Sequence, residues 1–253
     1  MTQADKAHTF AGMHKTGSPL KLFNIWDAGS AKAVAEAGAQ AVATGSWSVA
    51  GAQGYADGEK LPLDLLLTIV SRIAASVDIP VSVDFEGGYA RDPETLAKNV
   101  TRLIQTGVIG INFEDQIVGG EGLYDIKTQQ SRIAAIRDAA DQVGISFFIN
   151  ARTDIFLKNR DGKSHPSLMS EALERGQAYA EAGASGYFIP LLDSPDLIAE
   201  VCTAIPLPIN TLKHAGTPSY SVLERAGVSR ISHGEGPWAD CMSDLATAFG
   251  KIA

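Results

Sequence analysis

Short apolar runs and longer amphipathic segments alternate along the whole chain. The short runs are rich in β-branched residues and almost continuously apolar, which is typical of strands buried on both faces of a parallel sheet. The segments between them carry apolar residues at helical spacing, as at Leu96, Val100 and Leu103. This pattern predicts strands at 22–26, 41–44, 81–84, 109–114, 147–150, 187–190, 207–210 and 228–232.

Proline and glycine mark the ends of the predicted helices. Asp92 and Pro93 form a capping residue followed by proline at the first helical position, and Gly107 stands between a helical segment and the next strand. Eight strand–helix units in 253 residues are typical of an α/β fold of the (β/α)8 TIM-barrel type. We therefore expect one barrel domain over residues 1–253, with residues 1–20 as an N-terminal arm or capping helix. A doubly wound open sheet is the alternative.

The charge balance limits the classes of partner. Lys and Arg total 21 and Asp and Glu total 29, which gives a formal net charge of −8 and disfavours nucleic acid as a ligand. No apolar run is long enough for a membrane span. The two cysteines lack metal-ligand spacing, which favours a reducing, cytoplasmic location. A small-molecule ligand is the remaining expectation.

Acidic residues follow the predicted strands where the strands end. In a TIM barrel these positions meet at the rim that holds the active site. Six carboxylates gathered there, opposed by the single cation Arg152, predict a divalent ion, and oxygen ligands favour Mg²⁺ or Mn²⁺. For three of the acids, helix capping or ion pairing is an equal alternative. Arg152 is expected to bind a substrate carboxylate or phosphate rather than a protein carboxylate. The six rim carboxylates belong to Asp27, Asp84, Glu86, Glu114, Asp115 and Asp154. The three acids for which capping or ion pairing is an equal alternative are Asp27, Asp115 and Asp154.

Four segments carry a resemblance to a known family. They read IWDAGSAKAVAEAGAQAVATGSWSVA, VDFEGGY, GINFED and INARTD, and the likeness is continuous from Phe23 to Asp154 and weaker to Asn210. Together they resemble the isocitrate lyase/phosphoenolpyruvate mutase superfamily, whose members use Mg²⁺ to stabilise an enolate of pyruvate. The resemblance implies metal binding by Asp84, Glu86 and Glu114, ordering of the metal's water shell by Asp57, and substrate binding by Ser46, Trp47, Arg152 and Asn210.

The chain departs from the family pattern at two places. Glu86 stands where the family usually has aspartate, and the loop at 114–125 lacks the Lys-Lys/Arg-Cys-Gly-His motif of the lyases and the lysine and asparagine of the mutases. We therefore do not assign isocitrate or methylisocitrate lyase activity. The expected reaction is cleavage of a C–C bond beside a 2-oxo acid carboxylate, by a lyase, decarboxylase or hydrolase acting on an oxaloacetate-like or 2-hydroxy diacid. Glu121 and Tyr124, in this glycine-rich loop, are candidate proton donors or else solvated loop residues.

Two alternative functions stay open at this point, and a third is disfavoured. A phosphonate or phosphoenolpyruvate mutase or hydrolase would cleave a C–P bond, with Gly234 and Gly236 in a phosphate cradle. A Schiff-base aldolase is disfavoured because no predicted strand contains lysine; Lys158 and Lys213 lie beyond strand ends. A non-catalytic barrel that binds a 2-oxo acid is the other open alternative. The resemblance also implies a homo-oligomer, a dimer or tetramer, while the chain's end soon after the 237–250 helix argues against helix exchange.

Overall fold

The first predicted strand is divided at Phe23 into two short strands, and the sheet closes across this division. β1 (Leu20–Leu22) pairs in parallel with the last strand, β9 (Arg230–Ser232), whereas β2 (Asn24–Ile25) pairs in parallel with β3 (Val42–Thr44). The strand order is β1-β9-β8-β7-β6-β5-β4-β3-β2. Because β1 and β2 are successive pieces of one segment, the two edges meet and the sheet forms a barrel. The computed structural model describes residues 1–252.

Helices alternate with the strands around the barrel, which confirms the predicted TIM-type fold. The strand 207–210 is found two residues later, because Pro206 and Pro208 cannot donate to a ladder. The other strands are β4 (Val81–Asp84), β5 (Gly110–Glu114), β6 (Phe148–Arg152), β7 (Gly186–Phe188) and β8 (Ile209–Leu212). The helices are α1 (Gln3–Gly12), α2 (Ala28–Glu36), α3 (Ser46–Ala52), α4 (Leu63–Ser76), α5 (Pro93–Ile104), α6 (Ile126–Val143), α7 (His165–Glu181), α8 (Pro195–Ala204), α9 (Tyr220–Arg225) and α10 (Gly236–Gly250).

The strands divide their side chains between an apolar outer layer and a polar barrel interior. Ile111 and Phe113 of β5 belong to the apolar cluster formed with the surrounding helices. Asn112, between them, accepts a hydrogen bond from Arg230 of β9, a strand that is not adjacent to β5 in the sheet. Both side chains therefore lie inside the barrel, and both are buried.

Helix α1 packs against the beginnings of the strands. It starts at a capping box between Thr2 and Asp5. Phe10 lies edge-on to Phe148 at the start of β6, with 5.3 Å between ring centroids. Both rings belong to an apolar cluster that covers the amino-terminal ends of several strands. No helix between residues 1 and 252 is long and apolar enough to cross a membrane.

Candidate active site

A cavity of about 490 Å³ opens at the carboxyl ends of the strands. Five predicted site residues line it: Ser46, Trp47, Asp57, Asp84 and Arg152. Five others do not: Glu86, Glu114, Asn210, Glu121 and Tyr124. Its remaining lining residues are Asn24, Gly45, Asn112, Leu157, Arg160, Phe188, Pro190, Leu191, Leu212, Ser232, Gly234 and Glu235.

Asp84 ends β4 at the base of this cavity. Its backbone N–H donates to the Thr44 hydroxyl at 3.0 Å, and its Oδ2 accepts from the Ser46 backbone N–H at 3.1 Å. Its Oδ1 is buried and has no hydrogen-bond partner among residues 1–252. A buried carboxylate oxygen without a donor is costly, so this atom indicates a missing positive partner.

Three further carboxyl groups surround Asp84 and lack full charge compensation. Burial raises the pKa of Glu86 to about 9, and the charges of Asp57 and Asp84 add to the rise. Burial also raises the pKa of Glu114 to about 8, although the guanidinium of Arg152 opposes it. The pKa of Asp57 is raised by burial and then by Asp84. Each shift has the same meaning: negative charge at this place is unfavourable without a cation.

Glu86 does not line the main cavity but lies with Asp84 and Ser46 around a smaller one. It has a left-handed φ of +50°, and its Oε2 accepts from the Glu59 backbone N–H at 2.8 Å. Glu59 in turn accepts from the Tyr89 backbone N–H at 2.8 Å through Oε1. The sequence does not predict Glu59 as a site residue, because its partners Glu86 and Tyr89 follow β4, whereas Glu59 itself lies between α3 and α4.

The residues present fit a Mg²⁺ ion that keeps most of its water. No three His, Cys, Asp or Glu side chains among residues 1–252 form a metal-ligand cluster. Mg²⁺ commonly binds through one or two carboxylates and retains several waters. Asp84 offers the free Oδ1 for direct contact. Asp57, Glu86 and Glu114 are the carboxyl groups that would accept hydrogen bonds from the waters.

Arg152, at the end of β6, is already engaged by protein carboxylates. Its Nη2 donates to Asp154 Oδ2 at 2.9 Å and its Nε donates to the other oxygen of the same carboxylate. Its Nη1 lies 3.1 Å from Glu114 Oε2. Burial lowers the pKa of Arg152, but Asp154 and Glu114 more than offset this and hold it above its usual value. The geometry is therefore that of an ion pair with protein carboxylates, which is the alternative to the expected contact with a substrate anion.

Three rim acids, which the sequence leaves open between metal binding and a structural role, cap a helix or pair with other side chains. Asp27 caps α2 by accepting from the Ser30 backbone N–H at 2.7 Å. Asp115 accepts from the Tyr179 hydroxyl at 2.8 Å and lies 3.3 Å from Arg175 Nη1. With Asp154 paired to Arg152, none of these three is free to bind a metal ion.

The prediction of a single rim cation was wrong, because Arg160 also lines the cavity. It lies in the long connection between β6 and α7, is exposed, and has no salt bridge to any described residue. Strand-end positions are the places where a sequence pattern identifies a rim residue, and Arg160 is eight residues beyond the end of β6. The unusual length of this loop was the one available signal.

The two predicted proton donors lie in a loop folded like a hairpin. Gln116 and Leu123 form an isolated bridge, and Ile117 N–H donates to Gly122 O at 3.1 Å. The Arg132 guanidinium stacks on the Tyr124 ring, 4.1 Å from its centroid, outside the main cavity. Glu121 is exposed at the loop's tip. Neither Glu121 nor Tyr124 lines the cavity that contains Asp84.

The predicted substrate contact Asn210 lies deeper in the barrel. Its Nδ2 donates to the Ser232 hydroxyl at 3.2 Å, and the residue is buried. Ser232 separates it from the cavity, which it does not line. Its role stays a prediction.

The rest of the cavity is shaped by residues that neither the strand pattern nor the resemblance predicts. Asn24 fixes the rim, since its Oδ1 accepts from the backbone N–H groups of His233 and Gly234 at 3.0 and 2.9 Å. One wall is apolar and consists of Leu157, Phe188, Pro190, Leu191 and Leu212. A ligand with an anionic end and an aliphatic part matches this division.

Comparisons with known proteins agree with the motifs. The phosphoenolpyruvate phosphomutase family matches residues 10–253. A Burkholderia cenocepacia crystal structure, provisionally named a phosphonomutase, superposes with a TM-score of 0.96 at 44% identity and covers 99% of this chain and 100% of that one. The 2-methylisocitrate lyase of Escherichia coli is 28% identical over 215 residues, 82% of this chain and 70% of that enzyme.

A third comparison concerns the fold. A phosphonopyruvate hydrolase solved with oxalate and Mg²⁺ superposes with a TM-score of 0.85 at 22% identity, covering 100% of this chain and 87% of that one. It has the same barrel architecture. With the family match over nearly the whole chain, the conclusion is that this protein belongs to the phosphoenolpyruvate phosphomutase family of the isocitrate lyase/phosphoenolpyruvate mutase superfamily.

Proposed function

We propose that the protein is a Mg²⁺-dependent enzyme that cleaves a C–C bond next to a 2-oxo acid carboxylate through an enolate. Mn²⁺ would satisfy the same oxygen ligands. The observation that carries the proposal is the buried, unpartnered Oδ1 of Asp84 among carboxyl groups whose pKa values are raised. A site that disfavours its own negative charge so strongly is suited to a divalent cation.

The chain's own groups would place the reacting atoms around that cation. Bound Mg²⁺ would act as a Lewis acid for a developing enolate oxygen. The Ser46 N–H is taken by Asp84, but the Trp47 N–H lies in the first turn of α3, where backbone amides have no intrahelical partner. This amide and the remaining N–H groups of Arg152 would hold the substrate carboxylate.

The substrate class we propose is an oxaloacetate-like or 2-hydroxy diacid. Arg152 shares its charge between Asp154 and Glu114, so it has little left for a second anionic group. Arg160 has no acidic partner among the described residues and lines the same cavity. It would bind the carboxylate distal to the cleaved bond, with the apolar wall around the carbon chain.

The reaction needs a proton at its end. Breaking the bond leaves its electron pair on the carbon beside the carbonyl, from which it spreads onto the carbonyl oxygen as an enolate. The other fragment leaves as CO2 when a 2-oxo diacid is decarboxylated. From a 2-hydroxy diacid or a hydrated 2-oxo diacid it leaves as a carbonyl or carboxyl compound, and a base takes up the hydroxyl proton. A general acid then protonates the enolate carbon. Asp57 lines the cavity and has a raised pKa, and Glu121 and Tyr124 stay proposed donors that a movement of the 115–124 loop would bring in.

The test is incubation with Mg²⁺ and a panel of 2-oxo and 2-hydroxy diacids, with pyruvate or another 2-oxo acid product followed by a coupled assay. We expect turnover that EDTA abolishes and excess Mg²⁺ restores. Oxalate, an enolate mimic, should bind in the presence of Mg²⁺ and raise the melting temperature. Absence of any oxalate effect would overturn the proposal. Oxalate binding without turnover of any acid would favour the non-catalytic binding barrel.

C–P bond chemistry is the second candidate. It is favoured by the name of the 44% identical Burkholderia structure. In that case the substrate would be a phosphonate or phosphoenolpyruvate, and Gly234, which lines the cavity, would let a phosphoryl group approach the backbone. Phosphorus NMR of a phosphonopyruvate incubation separates the two reactions, since only C–P cleavage or transfer changes the phosphorus signal.

We also propose that the protein is a homo-oligomer, a dimer or tetramer, assembled through α10. In this helix only Pro237 is buried. Leu245 and Phe249 are 65% and 71% exposed, and Met242 and Ile252 extend the same side. Exposed apolar stripes of this kind mark interaction surfaces. A second copy of the same stripe is the self-complementary partner.

A further inference from the structure

Two buried asparagines and one buried arginine form a hydrogen-bond network below the proposed metal site. Asn112 Oδ1 accepts from Asn150 Nδ2 at 2.8 Å and from Arg230 Nη2 at 3.1 Å. Arg230 is fully buried and donates through Nε to the Ser232 hydroxyl at 3.1 Å. It forms no salt bridge with a described residue, and its Nη1 is buried without a hydrogen-bond partner; Asp84 acts on it only through longer-range charge attraction.

The arginine determines which way the Asn112 amide points. Asn112 and Asn150 alone can pair in two ways, because each amide carries both a donor and an acceptor. Arginine has donors only, so the Asn112 atom that faces Arg230 must be the oxygen. One of the two orientations is thereby excluded, and the Nδ2 of Asn112 is turned away from Arg230 and Asn150.

The freed amide group belongs to a residue that lines the active-site cavity. Asn112 is the register partner of Asp84 across β4 and β5. The Nδ2 of Asn112 donates to no group among residues 1–252, and it does not donate to the unpartnered Oδ1 of Asp84 either. A neutral donor beside the metal site, with its orientation fixed before a ligand arrives, is the arrangement that stabilises negative charge on a ligand oxygen.

We propose that Asn112 contacts the ligand directly, donating through Nδ2 to an anionic carboxylate or enolate oxygen, and that Arg230 is the positioning residue that fixes this orientation. The inference rests on the proposed function, since it places a 2-oxo acid or its enolate in this cavity. It adds a contact that none of the strand-end residues supplies. It also accounts for an arginine buried inside the barrel without a carboxylate partner.

The first experiment measures oxalate binding by calorimetry with saturating Mg²⁺ for wild type, Asn112→Asp and Asn112→Leu. We expect both variants to bind oxalate about 10- to 100-fold more weakly, the range for a lost hydrogen bond to a charged group. Asn112→Asp keeps an acceptor for Arg230, so misfolding would not explain weaker oxalate binding in that variant. Asn112→Leu adds no charge, so repulsion of oxalate would not explain weaker binding in that one. An unchanged affinity in Asn112→Leu would overturn the ligand contact while leaving the proposed function intact; a wild type that binds no oxalate would overturn both.

The second experiment tests the positioning role through Arg230→Met and Arg230→Lys. Methionine removes the donor and fills similar volume, a type of replacement that buried charges often tolerate. Both amide orientations then become available, and equal populations alone would weaken oxalate binding about twofold. Lysine retains a donor and should restore wild-type affinity.

The Asn112 side-chain amide gives a readout that a purely structural role would not move. Its ¹⁵N–¹H signals, identified by their absence in Asn112→Asp, should shift on oxalate binding in wild type and in Arg230→Lys. In Arg230→Met we expect doubled or broadened signals from the two orientations. A single unshifted set in Arg230→Met, with unchanged oxalate affinity, would overturn the role of Arg230.

Discussion

Arg152 and Asp154 form a two-pronged ion pair at the end of β6, with Nη2 2.9 Å from Oδ2 and Nε donating to the other carboxylate oxygen. Glu114 on the neighbouring strand takes up Nη1 at 3.1 Å. The side chain of Asp154 is fully buried and that of Glu114 is 4% exposed. Arg152 therefore serves first to hold two carboxylates in place, and only its remaining N–H groups are available to a ligand.

Replacing Arg152 by methionine should destabilise the protein strongly. The change leaves two buried carboxylates without their cation, and breaking a buried ion pair in this way costs about 3–5 kcal/mol. Urea denaturation of the metal-free protein measures the loss. Arg102→Met is the matched control, because its pair with Asp64 is exposed and should contribute less than about 1 kcal/mol. Equal losses in the two variants would contradict the role given to Arg152.

Asp84→Asn should abolish metal binding while leaving the fold intact. The asparagine oxygen can still accept from the Ser46 N–H, but the charge on Oδ1 is gone. We expect the rise in melting temperature caused by Mg²⁺ with oxalate to disappear. Asp27→Asn is the control, since asparagine caps a helix as well as aspartate does and Asp27 only caps α2. A full Mg²⁺ response in Asp84→Asn would mean that the ion binds elsewhere.

The strand pattern of the sequence predicts some of the cavity residues, and the family resemblance predicts the others. Asp84 ends one predicted apolar strand, Arg152 follows another by two residues, and parallel strand ends meet at one rim. Ser46, Trp47 and Asp57 also line the cavity but lie beyond strand ends, and only the resemblance predicts them. Asp115 could not be distinguished from a metal ligand, because its partner Arg175 is 60 residues away. Arg160 could not be predicted as a cavity residue, because a loop has no periodic pattern from which the position of a side chain follows.

The sequence contains a signal for the polar interior of the barrel. Asn112 and Asn150 interrupt otherwise apolar strands, and a polar residue in such a run must find a partner when it is buried. Their partner Arg230 lies 118 residues from Asn112 along the chain, and no local spacing connects the two. The fold was therefore predictable from repeated local patterns, whereas the network inside it required the closed barrel.

Arg160→Gln should weaken binding of a dicarboxylate longer than oxalate. If Arg160 holds the distal carboxylate, its loss should raise the KM or Kd for the diacid substrate about tenfold, the lower end for a hydrogen bond to a charged group. Oxalate, which fills only the enolate part of the site, should bind as in wild type. Lys158→Gln removes a neighbouring positive charge that does not line the cavity and serves as control. Equal effects of the two variants would indicate only a general electrostatic attraction.

Charges placed on the exposed side of α10 should dissociate the oligomer. Leu245→Glu with Phe249→Glu puts two carboxylates into the apolar stripe, where an interface would have to desolvate them. Sedimentation velocity should show a dimer or tetramer for wild type and a monomer for the double variant. Thr247→Glu, on the opposite side of the same helix, should leave the assembly unchanged. A monomeric wild type would refute the proposed assembly.

His14 gives the amino-terminal end of the barrel a defined pH dependence. It follows α1, its ring stacks on Phe148 at 4.1 Å, and its Nδ1 donates to the Phe10 carbonyl at 2.9 Å. Its Nε2 is buried and has no partner among residues 1–252. Burial, and then the positive charge of Arg230, lower the pKa of His14 to about 3.

This lowered pKa should make the protein less stable as the pH falls from about 6.5 towards 3, because His14 takes up a proton in the unfolded chain but not in the folded one. His14→Phe removes that proton uptake and keeps an aromatic ring packed against both Phe10 and Phe148. We therefore expect the free energy of unfolding of His14→Phe, relative to wild type, to be higher at pH 5 than at pH 8. The relative measure cancels the titration of the carboxylates, which the two proteins share. Urea denaturation at the two pH values provides it, and a constant difference would show that His14 is protonated equally in the folded and unfolded states.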